Sequence, residues 1–188
     1  MKILILRGGA LGDFILTLPV IRLLRSRWAK ARIELIGNAR AAELAVIDGA
    51  IDAAYSQHEA RWARLYGREP LPAELENWFR SFDIVVNFWP DPDGEIAARF
   101  PARLDQVFLS APAKPVCAPA ARHFCEALEP LGLHTGNFRA RLRLSLFPSR
   151  QAIPDEHPLV SLHPGSGSRN RNWPLDRWEE LCERLKDR

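Results

Sequence analysis

The opening of the chain constrains its fold more than any other feature. A short apolar run, Ile3-Leu4-Ile5-Leu6 behind Lys2, leads into Arg7-Gly8-Gly9-Ala10-Leu11-Gly12-Asp13, and a long, mostly apolar segment follows over residues 14–28. The run reads as a buried strand and the long segment as a helix. A glycine turn between strand and helix brings backbone close to a ligand and aims free N–H groups at it. Asp13 stands where the helix is expected to begin, so its carboxylate either caps the helix or does chemistry.

The same alternation continues. The pattern predicts strands at 2–7, 32–37, 52–56, 83–89 and 104–109, and helices at 14–28, 39–47, 59–66, 73–82, 95–100 and 118–131. In the first helix Ile15, Leu18, Ile21 and Leu24 recur at helical spacing, and Pro19 predicts a bend near Thr17. Strands and helices in turn argue for an α/β fold with a doubly wound, mostly parallel, Rossmann-like sheet over residues 1–147. The proline-rich, polar stretch 148–158 reads as a linker. Beyond it the pattern restarts over 159–188 as strand (159–163), loop and helix (174–188), with Pro174 in the first helical turn. There Trp178, Leu181, Cys182 and Leu185 recur at helical spacing. One β-loop-α unit cannot bury its own apolar face, so it reads as the start of an incomplete second domain.

Composition narrows the class. With 188 residues, 47% apolar and 26% charged, the chain can build a core. A net charge of +3 and a pI near 9.0 favour anionic partners but fall short of a nucleic-acid footprint. No apolar run approaches the ~18 residues of a spanning helix, and the start goes straight into a strand without a signal peptide's cleavage region. Cys117, Cys125 and Cys182 are odd in number and fit no metal spacing, which predicts free, half-buried thiols in a reducing, cytoplasmic setting. The five histidines form no pair of metal-ligand spacing, so no metal is expected. Trp28, Trp62 and Trp78 are expected in or at the edge of the core, and Asp91 and Asp93 in a turn rather than on an acceptor's hydroxyls.

Known glycine signatures fit the first turn poorly. A dinucleotide fingerprint has a glycine where this chain has Arg7, and an acidic residue after the second strand where it has Asn38. A phosphate-binding Walker loop has Lys-Ser/Thr where Asp13 follows Gly12. What remains is a turn presenting a carboxylate. As a helix cap Asp13 contributes about 1 kcal/mol; as a general base it would take a proton from a substrate hydroxyl. One residue can do both.

The second glycine loop, His163-Pro164-Gly165-Ser166-Gly167-Ser168-Arg169-Asn170-Arg171-Asn172-Trp173-Pro174, is the more specific signal. Two glycines admit an anion to the backbone, Ser166 and Ser168 offer hydroxyls, Arg171 offers a forked guanidinium, and a helix follows. The set suits a diphosphate. A glycine-rich turn with a solvated arginine is the plain alternative, and His163 reads as a packed strand-end residue.

Together the two loops resemble glycosyltransferase family 9, the ADP-heptose:lipopolysaccharide heptosyltransferases and their relatives. The likeness rests on Lys2-Ile3-Leu4-Ile5-Leu6-Arg7 with Gly12-Asp13 and Leu18-Pro19. It rests equally on His163-Pro164-Gly165-Ser166-Gly167-Ser168 with Asn172-Trp173-Pro174 and Trp178. The resemblance implies a GT-B architecture, of which this chain holds the first domain and the start of the second. It implies inverting, metal-independent transfer of a sugar such as heptose from a nucleotide sugar such as ADP-heptose to a lipopolysaccharide core acceptor. Asp13 would be the base, Gly8, Gly9 and Gly12 would line the acceptor side, and Ser166, Gly167, Ser168 and Arg171 would hold the donor diphosphate. No cofactor is implied beyond the nucleotide sugar as co-substrate. The partners implied are that sugar and an anionic glycolipid, with peripheral contact at the inner face of the cytoplasmic membrane and no nucleic acid.

The family usually has lysine where Arg171 stands, which keeps charge but changes geometry. Family members also continue for well over a hundred further residues. The chain alone is therefore expected to lack the sites for nucleoside and sugar. The other reading is a non-catalytic phosphate- or sugar-binding module, or a truncated remnant of such an enzyme. An NAD-type oxidoreductase is disfavoured by Arg7 and Asn38.

Overall fold

A computed structural model describes residues 1–143, 160–168, 170 and 172–186. The expected linker at 148–158 and Arg171 lie outside these residues. The chain forms two compact units, Met1–Pro148 and Ser149–Arg188.

The first unit is built on a five-stranded sheet: β1 (Lys2–Arg7), β2 (Arg32–Gly37), β3 (Ala53–Ser56), β4 (Ile84–Asn87) and β5 (Val107–Ser110). The strands lie in the order β3-β2-β1-β4-β5, and every pair is parallel. This is the doubly wound α/β sheet that the alternating pattern predicts, parallel throughout. Strand order reverses beside β1, because β2 and β3 extend to one side and β4 and β5 to the other.

Period-2 alternation along β1 sorts its side chains onto two faces. Ile3 and Ile5 join Ile33, Leu35, Ile84 and Val86 in one core cluster. Helices α1 (Leu11–Arg27) and α2 (Ala39–Ile47) cover that face, with Phe124 of a later helix, α5 (Ala120–Glu126). Leu4 and Leu6 point the other way into an aromatic cluster of Trp62, Phe79, Phe82, Trp89 and Phe100. A 3-10 helix (Ala60–Leu65), α3 (Ala73–Arg80) and α4 (Glu95–Arg99) carry that layer. Trp62 is fully buried, and Trp28 and Trp78 are half-buried against the two clusters.

Several details differ from the sequence expectation. Helix α1 starts at Leu11, so Gly12 and Asp13 belong to its first turn. Its buried stripe runs through Phe14, Leu18, Ile21 and Leu24, whereas Ile15 faces outward. The helix is unbroken across Pro19; the carbonyl deprived of a donor there is that of outward-facing Ile15. Where an α-helix is expected at 59–66 the chain winds as a 3-10 helix over Ala60–Leu65, and 118–131 divides into α5 and a 3-10 turn at Glu129–Leu131. Asp91 does lie in the expected turn, its carbonyl accepting from Gly94 at 3.3 Å, and its carboxylate accepts from the amides of Ile96 at 2.9 Å and Ala97 at 3.0 Å in the first turn of α4.

The second unit contains α6 (Leu175–Lys186). Pro174 precedes the helix instead of sitting in its first turn, and its carbonyl accepts from Arg177 and Trp178. Residues 160–163 form no strand ladder and are exposed, His163 among them, so that histidine is not packed. Trp173 and Trp178 meet edge to face at 5.2 Å. Trp178, Leu181 and Leu185 are half-buried while Cys182 is exposed. Elsewhere Cys117 is half-buried, and Cys125 is buried with its thiol pushed up to about 11 by desolvation and the charge of Glu126. Among the described residues no helix is long and apolar enough to cross a membrane.

Candidate active site

The carboxyl end of β1 sets the site. Gly37, at the end of β2, pairs with Arg7, and a Cβ there would collide with the Arg7 carbonyl. The two strand ends therefore approach as only glycine allows. The next residue, Asn38, accepts from the Ala41 amide at 3.1 Å and caps α2. The position that is acidic in dinucleotide-binding folds here serves the helix.

Arg7 points into the core, not out to solvent. It is 4% exposed, and its guanidinium lies 4.4 Å from the centroid of the Phe124 ring. Nη1 donates to the Ala113 carbonyl at 3.0 Å and Nη2 to Asp13 Oδ1 at 3.1 Å, with a longer bond from Nε to the Asp13 carbonyl. Burial lowers its pKa and the neighbouring Asp13 charge pulls it back up. The group nonetheless stays a cation.

Asp13 is thus held from two sides. Its Oδ2 accepts from the Ala10 amide at 2.9 Å, the reach-back of a residue in the third helical position to the residue before the helix. The sequence expectation of Asp13 as the capping residue is corrected: Ala10 occupies that position and brings no side-chain acceptor. Gly9 makes the geometry possible. Its φ is +111°, and a Cβ there would lie 2.6 Å from Asp13 Cγ. With each oxygen engaged once and 44% of its side chain exposed, the carboxylate retains lone pairs that can face a ligand.

Gln57, just after β3, clasps the turn from outside. Its Oε1 accepts from the Gly9 amide at 2.9 Å and its Nε2 donates to the Gly9 carbonyl at 3.3 Å. Gly8 lies against Gln57 and the indole of Trp89. A cleft of about 460 Å³ opens there, bounded by Gly8, Gln57, Tyr66 and Trp89. A second cleft, of about 490 Å³, lies beyond Trp89 at the ends of β4 and β5, against Ser110 and Lys114. Both lie outside the carboxyl ends of the strands beside the reversal of strand order, where open α/β sheets take ligands.

Of the residues singled out from sequence, Gly8, Gly9 and Asp13 come together. Gly12, one turn further on, faces open space. In the second unit Ser166, Gly167 and Ser168 form an exposed turn. There the Ser166 hydroxyl donates to the Ser168 carbonyl at 2.9 Å and accepts from the Ser168 amide at 3.3 Å. Four residues of the first unit escaped the sequence reading: Arg7 as a buried clamp, Gln57 as a clasp, and Tyr66 with Trp89 as a cleft wall. Only Arg7 carried a local signal, a charge ending an apolar strand.

No protein-family model matches the chain, and no curated protein matches it. Solved structures do. A glycosyltransferase family 9 protein from Veillonella parvula matches with a TM-score of 0.67 and 18% identity over 98% of this chain and 59% of its own. E. coli heptosyltransferase WaaC matches in two structures over 100% of this chain. One, with ADP-2-deoxy-2-fluoro heptose, has a TM-score of 0.66 at 16% identity. The other, with ADP, has a TM-score of 0.64 at 15% identity. The chain spans 66% and 65% of those two. The fold of this chain is therefore the α/β fold of these glycosyltransferase structures, over about three-fifths to two-thirds of their length.

Proposed function

We propose that the chain is part of an inverting, metal-independent glycosyltransferase that moves a sugar, heptose by its likeness to the heptosyltransferase, from a nucleotide sugar to a lipopolysaccharide core acceptor. The observation that carries this reading is Asp13, clamped by a buried arginine and a backbone amide yet open beside the crevice at the end of β1. In this reading Asp13 takes the proton of the acceptor hydroxyl as its oxygen attacks the anomeric carbon. The bond from that carbon to the diphosphate oxygen breaks on the opposite face, and configuration inverts. Ser166, the Gly167 amide, Ser168 and Arg171 hold the departing diphosphate, so its charge is met by side chains and amides. Ser166 gives up its bond to the Ser168 carbonyl when phosphate enters. A lipid-linked acceptor would place the protein at the inner face of the cytoplasmic membrane.

The assay uses the longest reading frame that contains this sequence, with ADP-heptose and an inner-core glycolipid. Loss of a general base costs about 10²–10⁴-fold in turnover, so Asp13→Ala should fall by that much while still binding ADP. Equal product from Asp13→Ala and the parent would refute the assignment, and no product from any form would leave the non-catalytic binding module.

A further inference from the structure

The cleft beside Gly8 differs in chemistry from the anionic acceptor that the family resemblance implies. Tyr66 is 46% exposed, and its ring stacks on Trp89, with centroids 6.3 Å apart and planes within 17°. Trp89 itself is 6% exposed, so it backs the platform and Tyr66 presents it. Gly8 and Ala63 leave the opposing surfaces small, and Gln57 and His58 supply polar edges. The amide of Gln57 is oriented by its bond from Gly9, so its Nε2 donates toward His58 Nε2 at 3.3 Å. Glu59, also at the rim, is paired with Arg61 at 2.8 Å. Among the described residues lining the cleft none is a lysine or arginine.

Flat aromatic carbon, hydrogen-bonding edges and no cation together select against phosphate or carboxylate. They suit the C–H face of a sugar ring whose hydroxyls meet amide and imidazole groups. We infer that this cleft binds an uncharged pyranose ring, stacked on Tyr66 beside Gly8 and Gln57. As the acceptor's ring this deepens the transferase reading and rests on it. The turn that forms one wall is the same that seats Asp13, since Gly8 lines the cleft and Gly9 lies against the carboxylate. Anionic groups of the acceptor then lie outside this cleft.

The test separates the two claims. Binding of methyl β-glucopyranoside, methyl α-mannopyranoside and glucuronic acid to the chain is followed by saturation-transfer NMR and tryptophan fluorescence. The neutral glycosides should bind, with saturation strongest on ring C–H protons, and glucuronate should bind more weakly. Removing one stacked ring costs about tenfold in affinity, so Tyr66→Ala should weaken the glycosides by that factor, and Tyr66→Phe should not. A normal far-ultraviolet spectrum and melting temperature show that the exposed site has not unfolded. Failure of the parent to bind any neutral glycoside, stronger binding of glucuronate, or equal binding by Tyr66→Ala would overturn the inference. Tyr66-dependent binding without sugar transfer would keep the cleft and remove the transferase. Transfer with an acceptor KM unchanged in Tyr66→Ala would do the reverse.

Discussion

The two glycine loops look alike in composition and are built in opposite ways. The first, 8–12, is locked by two contacts from far along the chain, Gln57 on Gly9 and the Ala113 carbonyl on Arg7, the arginine that in turn holds Asp13. The second, around Ser166–Gly167–Ser168, is held by Ser166 and Ser168 bonding to each other across two residues. Long-range contacts fix a side chain before a ligand arrives, whereas a local turn leaves its donors to be reoriented by one. A general base benefits from the first arrangement. A loop that wraps an anion tolerates the second.

The contrast can be broken most severely at Gly9. Gly9→Ala places a methyl group where the Asp13 carboxylate lies and imposes an unfavourable positive φ. A displacement of that size costs about 10²-fold in turnover, and steady-state kinetics should show kcat falling with donor affinity intact. A wild-type kcat would mean the turn is no more fixed than its counterpart.

Next is Arg7→Lys, which keeps the charge but cannot reach both Asp13 and the Ala113 carbonyl. Losing a charged hydrogen bond in this buried place should destabilise by about 1.5–3 kcal/mol, read from urea unfolding. Gly12→Ala has the reverse sign. Gly12 is inside the first helical turn with nothing near an added Cβ, so the helix should gain about 0.5–1 kcal/mol. The smallest effect belongs to the second loop. Ser166→Ala removes two local bonds on an exposed turn and should change stability by less than about 0.5 kcal/mol. Its consequence should appear in ADP affinity by calorimetry; a large loss of stability would show that the loop, too, is locked.

These regions also mark where sequence reading succeeds and fails. β1, β2 and α2 were legible to the residue because their apolar periods are uninterrupted and glycine or asparagine ends them. The start of α1 was misplaced by two to three residues because Ala10 is a poor capping residue and Gly12 looks like part of a turn. The 3-10 winding at Ala60–Leu65 follows from tertiary packing of Trp62 and Leu65, which no local pattern encodes. Asp13 could be found from its turn. Its partner Arg7 could not be recognised as one, because only the fold shows that the side chain points inward onto Phe124. Gln57 and Tyr66 meet the turn or Trp89 across 23 to 48 residues, distances at which spacing says nothing.

The bond from Arg7 to the Ala113 carbonyl spans 106 residues. A contact of such separation forms late, because the chain between must first be organised. The Asp13 carboxylate, in the first turn of α1, therefore has its setting completed only when the loop after β5 is in place. Completion of the sheet through β5 and orientation of the Asp13 carboxylate are thus linked, and a chain arrested before Ala113 would hold Asp13 beside an arginine that lacks its distant anchor.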